Sequence, residues 1–394
     1  MVVTRQGLTW HRSDLAIGQV DAMVAKLRAQ LDPAGSEMQG SPGFDRKTAN
    51  KLYAGLISPI HAAIEGHTHL YIAATGSLAS LPFGVLVTEP PLAKSDDEDP
   101  ETLRHTPWSA DAHPLIQIPS VQSLGYLRSG NRRKRQAGAQ QARFVGFGDP
   151  LLGGKTSIRG ARGTGSAPLI EPLSLIGEVI SEAATPLMDP ARLRRLSRLA
   201  GTARELEAMQ TMFDTPNFKL YLQDAMTESA IRSADLSATS ILHLATHGLT
   251  AAESGAMGRA EPGLVFTPPA KASSGDDGYL AASEVLSLDL SATQWVILSA
   301  CNTAAPANSG EASLSGLART FFYAGAPTLL ISHWPVYDDI AAEMTVETLR
   351  RAQKPGVSRA QALQAAMRAI RNDPAKEAEH PSFWAPFSLV GDGR

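Results

Sequence analysis

A chain of 394 residues with 43% hydrophobic side chains can bury a sizeable core, as roughly two or three domains or as one large α/β domain with an extra segment. Its 36 basic and 39 acidic residues leave a net charge of −3, which gives no reason to expect nucleic acid or an acidic membrane as a partner. The single cysteine, Cys301, excludes an intramolecular disulfide and a multi-cysteine zinc site. No run approaches about 18 apolar residues, so no transmembrane helix is expected. Met1-Val2-Val3-Thr4-Arg5 lacks the long apolar stretch of a signal peptide, and a soluble cytoplasmic protein is the expectation.

In chain order, 14–31 has helical spacing, with Leu15, Val20, Met23, Val24, Leu27 and Leu31 on one side. Residues 46–65 read as a second helix, and the two form a short helical N-terminal segment over 1–65 that leans on the rest. Three polar stretches read as surface loops: the acidic, Pro-containing 89–107, the basic 129–142, and the Gly-, Pro- and Arg-rich 149–201. Short apolar runs with strand character lie at 115–118, 144–147, 219–222, 240–245, 264–266, 295–298 and 328–331. Helical patterns alternate with them at 202–213, at 313–325 with Gly325 as a stop, and at 357–371 with Ser358 as a cap. Strands apolar on consecutive residues are covered on both faces, so the pattern predicts an α/β fold with a mostly parallel sheet. In such sheets the working groups gather beyond the carboxyl ends of the strands.

Two strand ends carry chemistry. "ILHLATHG" (241–248) closes on His247 and Gly248, and "ILSACNTA" (297–304) places Cys301 just after an apolar run. If the strands are neighbours, about 4.8 Å apart, their ends bring imidazole and thiol together. A thiol is only a few per cent ionised at neutral pH, and a histidine base activates it. Backbone N–H groups at Gly248 and Cys301 could then receive the oxyanion. Read from the residues alone, Cys301 is equally a small core side chain and His247 a solvated strand end. His243 is four residues from His247, about 13 Å along a strand, too far to share a metal ion, and reads as a structural neighbour inside the sheet. "GFGDPLLGGKTS" (146–157) imitates a phosphate loop, but Gly148 is one residue too far from Gly154-Lys155-Thr156 and Pro150 removes a donor. No G-x-S-x-G elbow is present.

The ordered blocks "GSLASLPFGVLV" (76–87), "IPSVQSLGYL" (118–127), "FVGFGDP" (144–150), "ILHLATHG", "WVILSACNTA" (295–304), "LARTFFYAGAPTLLISHWPVYDD" (317–339) and "HPSFWAPFSLVGD" (380–392) resemble the CHAT domain, a caspase- and separase-like cysteine peptidase module. The resemblance spans roughly 66–394 and implies a caspase-like α/β/α sandwich. It implies His247 as base, Cys301 as nucleophile, and the Gly248 and Cys301 amides as oxyanion hole. Cys301 follows His247 by 54 positions (301 minus 247), which agrees with the roughly 50-residue caspase spacing. It further implies that Ser332, His333 and Trp334 pair with an extended substrate by strand addition. Asp338 stands where separase carries the acid that meets a P1 arginine, and Asp149 is a second candidate. Cleavage after Arg or Lys is therefore expected, although Asp338 reads equally as a helix cap. No metal or organic cofactor is implied. The implied partners are a protein substrate, such as a gasdermin-like or other effector, and an activating protein, in bacterial defence or regulated proteolysis. A peptide-holding scaffold of the same fold that does not cleave is the alternative. No 34-residue period of the tetratricopeptide kind appears.

Overall fold

The computed structural model describes residues 1–32, 43–92, 96–136, 143–154, 187–213, 215–300, 316–334, 336 and 338–394. Thirteen strands lie among these residues: β1 (Val2–Val3), β2 (Leu8–Thr9), β3 (Leu70–Ile72), β4 (Leu115–Gln117), β5 (Phe144–Pro150), β6 (Phe218–Gln223), β7 (Ile241–Ala245), β8 (Gly248–Leu249), β9 (Gly263–Val265), β10 (Tyr279–Ala281), β11 (Trp295–Ser299), β12 (Thr328–Ser332) and β13 (Phe387–Gly391). Eight form the central sheet in the order β3-β4-β13-β12-β11-β7-β5-β6. Only β12–β13 is antiparallel in it, so the mostly parallel α/β architecture expected from the sequence is what the chain adopts.

The strands β5, β7, β11, β12 and β13 are buried at every position. Successive residues feed two separate cores, because side chains alternate across a strand. Ile241, Trp295, Ile297 and Leu330 face one core. Leu242, Leu244, Val296, Leu298, Leu329 and Ile331 face the other. The principal helices are α1 (Ile17–Leu31), α2 (Arg46–Leu56), α3 (Val121–Gln136), α4 (Gly201–Glu207), α5 (Gly316–Tyr323), α6 (Asp338–Ala352) and α7 (Arg359–Asn372). The first core receives Val24 of α1, Leu52 of α2, Leu206 of α4, Met344 of α6 and Leu363 of α7. The second receives Leu127 of α3 and Phe321 of α5. The N-terminal helices thus share the main core and do not stand apart from it. Ser358 caps α7 as expected, its hydroxyl accepting from Gln361 N at 3.1 Å.

Several expectations need correcting. The run 264–266 is a strand, but in a separate antiparallel sheet of order β10-β9-β8. Residues 129–136, expected as loop, continue α3, since Arg, Lys and Gln are good helix formers. The acidic stretch 89–107 is partly ordered around a short helix, Pro100–Arg104, with Leu103 buried and Arg46 paired to Asp97 at 2.6 Å. The largest departure concerns 187–201. Met188, Leu193 and Leu199 are buried, the first two in a third core with Leu249, Val265 and Tyr279. This segment also spends the amides of the apparent phosphate loop. Gly153 N donates to Arg194 O at 2.7 Å and Gly154 N to Leu196 O at 3.1 Å.

Candidate active site

The site is assembled by sheet register. Gly148 of β5, Ala245 of β7 and Ser299 of β11 lie in one row across three adjacent parallel strands. The chain leaves all three at the same carboxyl edge. Immediately beyond come Asp149, then Thr246-His247-Gly248, then Ala300-Cys301. His247 and Cys301 are each two residues past a paired row, on neighbouring strands. Cys301, with 302–315, lies outside the described residues.

His247 is half-buried, and its Nε2 lies 2.7 Å from Ser197 O. A carbonyl oxygen only accepts, so Nε2 carries the hydrogen. Nδ1 is therefore the nitrogen able to take a proton. The flanking chain is tied to β9: Thr246 Oγ1 donates to Val265 O at 2.6 Å, and Val265 N donates to His247 O at 2.9 Å. In an antiparallel ladder this pattern makes Gly248–Leu264 a non-hydrogen-bonded pair, which turns the Gly248 N–H away from β9.

Ser197 O is held in place from β5. Asp149 is 1% exposed and adopts φ of +50°, in the left-handed region that only short polar side chains tolerate readily. Its N–H donates to Thr202 Oγ1 at 2.8 Å. Its carboxylate accepts Nε and Nη2 of Arg198 at 2.9 and 2.7 Å, and Nε2 of Gln223 at 3.1 Å. Hydrogen bonds to Asp149, and the charge of that carboxylate, push the Arg198 guanidinium above its ordinary value. A bidentate pair of this kind fixes direction as well as distance. Asp149 therefore anchors Arg198, whose neighbour Ser197 orients the imidazole. The carboxylate expected as a pocket for a substrate arginine is occupied by an arginine of the chain itself.

The other expected substrate residues lie on the far side of β11. Ser332 pairs with Phe387 of β13, and its hydroxyl donates to Ala300 O at 2.7 Å. His333 N donates to Pro386 O at 2.9 Å, and its ring Nε2 meets Ser388 Oγ at 2.8 Å. Burial, reinforced by the nearby Arg28 cation, pushes the His333 imidazole down to about 3. Trp334 is fully buried, donates from Nε1 to Ser382 O at 2.9 Å, and carries the Arg28 guanidinium over its ring at 5.0 Å. The strand edge expected at Ser332 is thus taken by β13, and all three side chains point to protein partners. Asp338 opens α6, and its side chain lies outside the described residues.

His243 is a structural neighbour within the sheet, as its spacing suggests, but not an idle one. It is fully buried, and its Nε2 meets Glu205 Oε1 of α4 at 3.0 Å. Ser197 and Arg198 were missed at the level of sequence because 149–201 reads as solvated, and Glu205 because it is one of several charged residues in the helical pattern 202–213. The available signal was the recurrence of Leu193, Leu196 and Leu199 every third residue among the arginines, a packed pattern inside a charged one.

Residues 46–392 match the CHAT domain family. The chain belongs to that family. The match begins within α2's span, so it takes in the second of the two N-terminal helices as well as the sheet. Among curated proteins, tetratricopeptide repeat protein 28 of Mus musculus is 33% identical over 115 residues, which are 28% of this chain and 4% of the mouse protein. The CHAT chain therefore spans only a small part of that relative's length. Among solved structures, it is similar to the Arg-specific cysteine proteinase gingipain R, at 10% identity, TM-score 0.44, over 95% of this chain and 74% of that one. It is similar also to a chain of the Saccharomyces cerevisiae separase–securin complex, at 12% identity, TM-score 0.41, over 82% of this chain and 16% of that one. Among the described residues, no helix of this CHAT protein is long and apolar enough to cross a membrane. Nor, among them, does any group of three His, Cys, Asp or Glu side chains converge to hold a metal ion.

Proposed function

We propose that this CHAT domain is a cysteine endopeptidase in which His247 is the base and Cys301 the nucleophile. The observation that carries the reading is the Ser197 carbonyl on His247 Nε2, at a strand end whose neighbour in register leads to the single cysteine. That contact selects the tautomer a base needs and holds the ring in one plane. Nδ1 takes the Cys301 thiol proton as the sulfur bonds to the scissile carbonyl carbon. The oxyanion draws on N–H donors at Gly248 and Cys301. The imidazolium then protonates the leaving amine as the C–N bond breaks. In the second half, water loses a proton to the imidazole and attacks the thioester, which releases the carboxylate product and regenerates the thiol.

Cleavage after Arg or Lys remains part of the proposal, with Asp338 as the acid that meets the side chain, because Asp149 is engaged by Arg198. The family resemblance supports a protein substrate in bacterial defence or another regulated-proteolysis setting.

Fluorogenic peptides varied at P1, assayed with the protein and with Cys301→Ala and His247→Ala, test this. The expected result is turnover after Arg or Lys that Cys301→Ala abolishes and His247→Ala lowers by about 10²–10⁴. Binding of peptides without turnover, unchanged in both variants, would instead indicate a scaffold and overturn the proposal.

A further inference from the structure

We infer that Glu205 is a positioning residue for the proposed dyad, clamping the strand that carries the base to the strand that leads to the nucleophile. The inference rests on the Cys301–His247 reading above. Glu205 projects from α4 into the first core and is 1% exposed. Its Oε1 meets His243 Nε2 of β7 at 3.0 Å, and its Oε2 accepts from Ser299 Oγ of β11 at 3.1 Å. Thr345 of α6 approaches Oε1 at 3.4 Å. His243, Ser299 and Thr345 are all buried, and the edge of the Phe144 ring closes over His243 with centroids 6.1 Å apart.

Such a cluster is poorly explained by stability. A carboxylate taken out of water is costly unless fully paired, and apolar residues of similar volume in its place are often neutral or stabilising. The strand positions that face the same core include Ile241, Ala245, Trp295, Ile297 and Leu330, so an apolar solution fits the site. What the polar cluster adds is direction. Ser299 is two residues before Cys301, and His243 is four residues before His247. The backbone ladder between β7 and β11 sets their register but not their position against the helix layer. Glu205 supplies that link. It does so from the helix that directly follows Ser197 and Arg198 and whose Thr202 holds the Asp149 amide. One side chain thus ties together the base strand, the nucleophile strand and the segment that orients the imidazole. A displacement of about 1 Å at a reacting pair can cost about 10²-fold in rate.

The single cysteine makes the test direct, because alkylation by iodoacetamide reads Cys301 and nothing else. The pH profile of that reaction in the folded protein should show a thiol well below the free value of about 8.5, and His247→Ala should return it towards that value. Glu205→Ala and Ser299→Ala should shift the profile in the same direction and lower kcat roughly 10- to 100-fold with KM within about threefold. Glu205→Gln, which can still accept from Ser299 and meet the other tautomer of His243, should restore most of both. Ser358→Ala, at the α7 cap, should leave the profile in place. A folded Glu205→Ala with the parent profile and kcat would overturn the inference while leaving the dyad intact. If Glu205→Ala does not fold, Ser299→Ala decides by the same two readings. Identical profiles for the parent protein and His247→Ala would overturn the dyad, and the clamp with it.

Discussion

The carboxyl edge of the central sheet has two sides that look alike in sequence and differ in the fold. Both β7 and β12 are buried throughout and are followed within two residues by a histidine, His247 and His333. On the β5–β7 side, the polar groups Asp149 and His247 are met by a separate segment, 187–201, through Arg198 and Ser197. On the β12–β13 side, Ser332, His333 and Trp334 are sealed by the antiparallel return of the chain and by Arg28. A polar residue at a strand end therefore does not by itself mark a site. What distinguishes the two histidines is burial and surroundings: His247 is half-buried at the sheet edge with Nε2 on Ser197 O, whereas His333 is sealed within the packing.

Four perturbations sharpen this contrast. The largest effect should come from Trp334→Ala, which empties a fully buried site and should lower unfolding stability by about 3–5 kcal/mol in urea titrations. An outcome within about 1 kcal/mol would mean that Trp334 is not packed as described and could face a substrate.

Next is Arg198→Ala. It takes the bidentate partner from the buried Asp149 carboxylate and leaves it the Gln223 amide, at a cost of about 1–3 kcal/mol in stability. If Arg198 holds the Ser197 carbonyl on His247, kcat should fall about tenfold with little change in KM. A rise in activity on Arg substrates would point the other way, to Arg198 as an internal occupant of the pocket.

The third test uses pH, where the two sides carry opposite signs. Glu228 accepts from Asp277 N, and Asp277 in turn accepts from Met188 N, so this network pins the start of the 187–201 segment. Burial raises the Glu228 carboxyl to about 7 despite its bonds to Arg232 and Asp277 N. The folded state then holds the proton more tightly than the unfolded chain. Its contribution is complete below the unfolded value of 4.5 and is lost as pH rises through about 7. His333 is the reverse. Its folded value of about 3 lies below the unfolded 6.5, so stability is lost as pH falls from 6.5. Glu228→Gln should remove a slope of up to about 1 kcal/mol per pH unit between pH 5 and 7, leaving the histidine trend exposed in thermal melts. An unchanged slope would show that Glu228 is ionised throughout.

The smallest effect is expected at neither side. Ser358→Ala removes the α7 cap and its contact with His69 Nε2, and should cost about 1 kcal/mol without altering peptide turnover.

The central strands were legible because β5, β7, β11 and β12 are apolar at consecutive positions, the mark of a strand covered on both faces. β13 was not, although Phe387–Gly391 is equally buried. It returns antiparallel beside β12 after α6, α7 and a short helix (Pro381–Trp384), and Ser388 and Gly391 break its apolar run in the sequence. Helix α3 was not read from the sequence, since its basic end offers no apolar periodicity and reads as loop. At the site, His247 and Cys301 stood out by their position after strands. Arg198 and Glu205 did not, because one charged residue among many carries no local sign of its partner.

By itself, then, the sequence determined where the central strands β5, β7, β11 and β12 form and which residue types follow them, since those follow from spacing along the chain. Only the tertiary structure decided that β5, β7 and β11 are neighbours, that Arg198 takes the Asp149 carboxylate, and that β13 closes the edge at Ser332. Those pairings join residues far apart along the chain, and they are set by which buried surfaces and hydrogen-bonding groups complement one another once the sheet has formed.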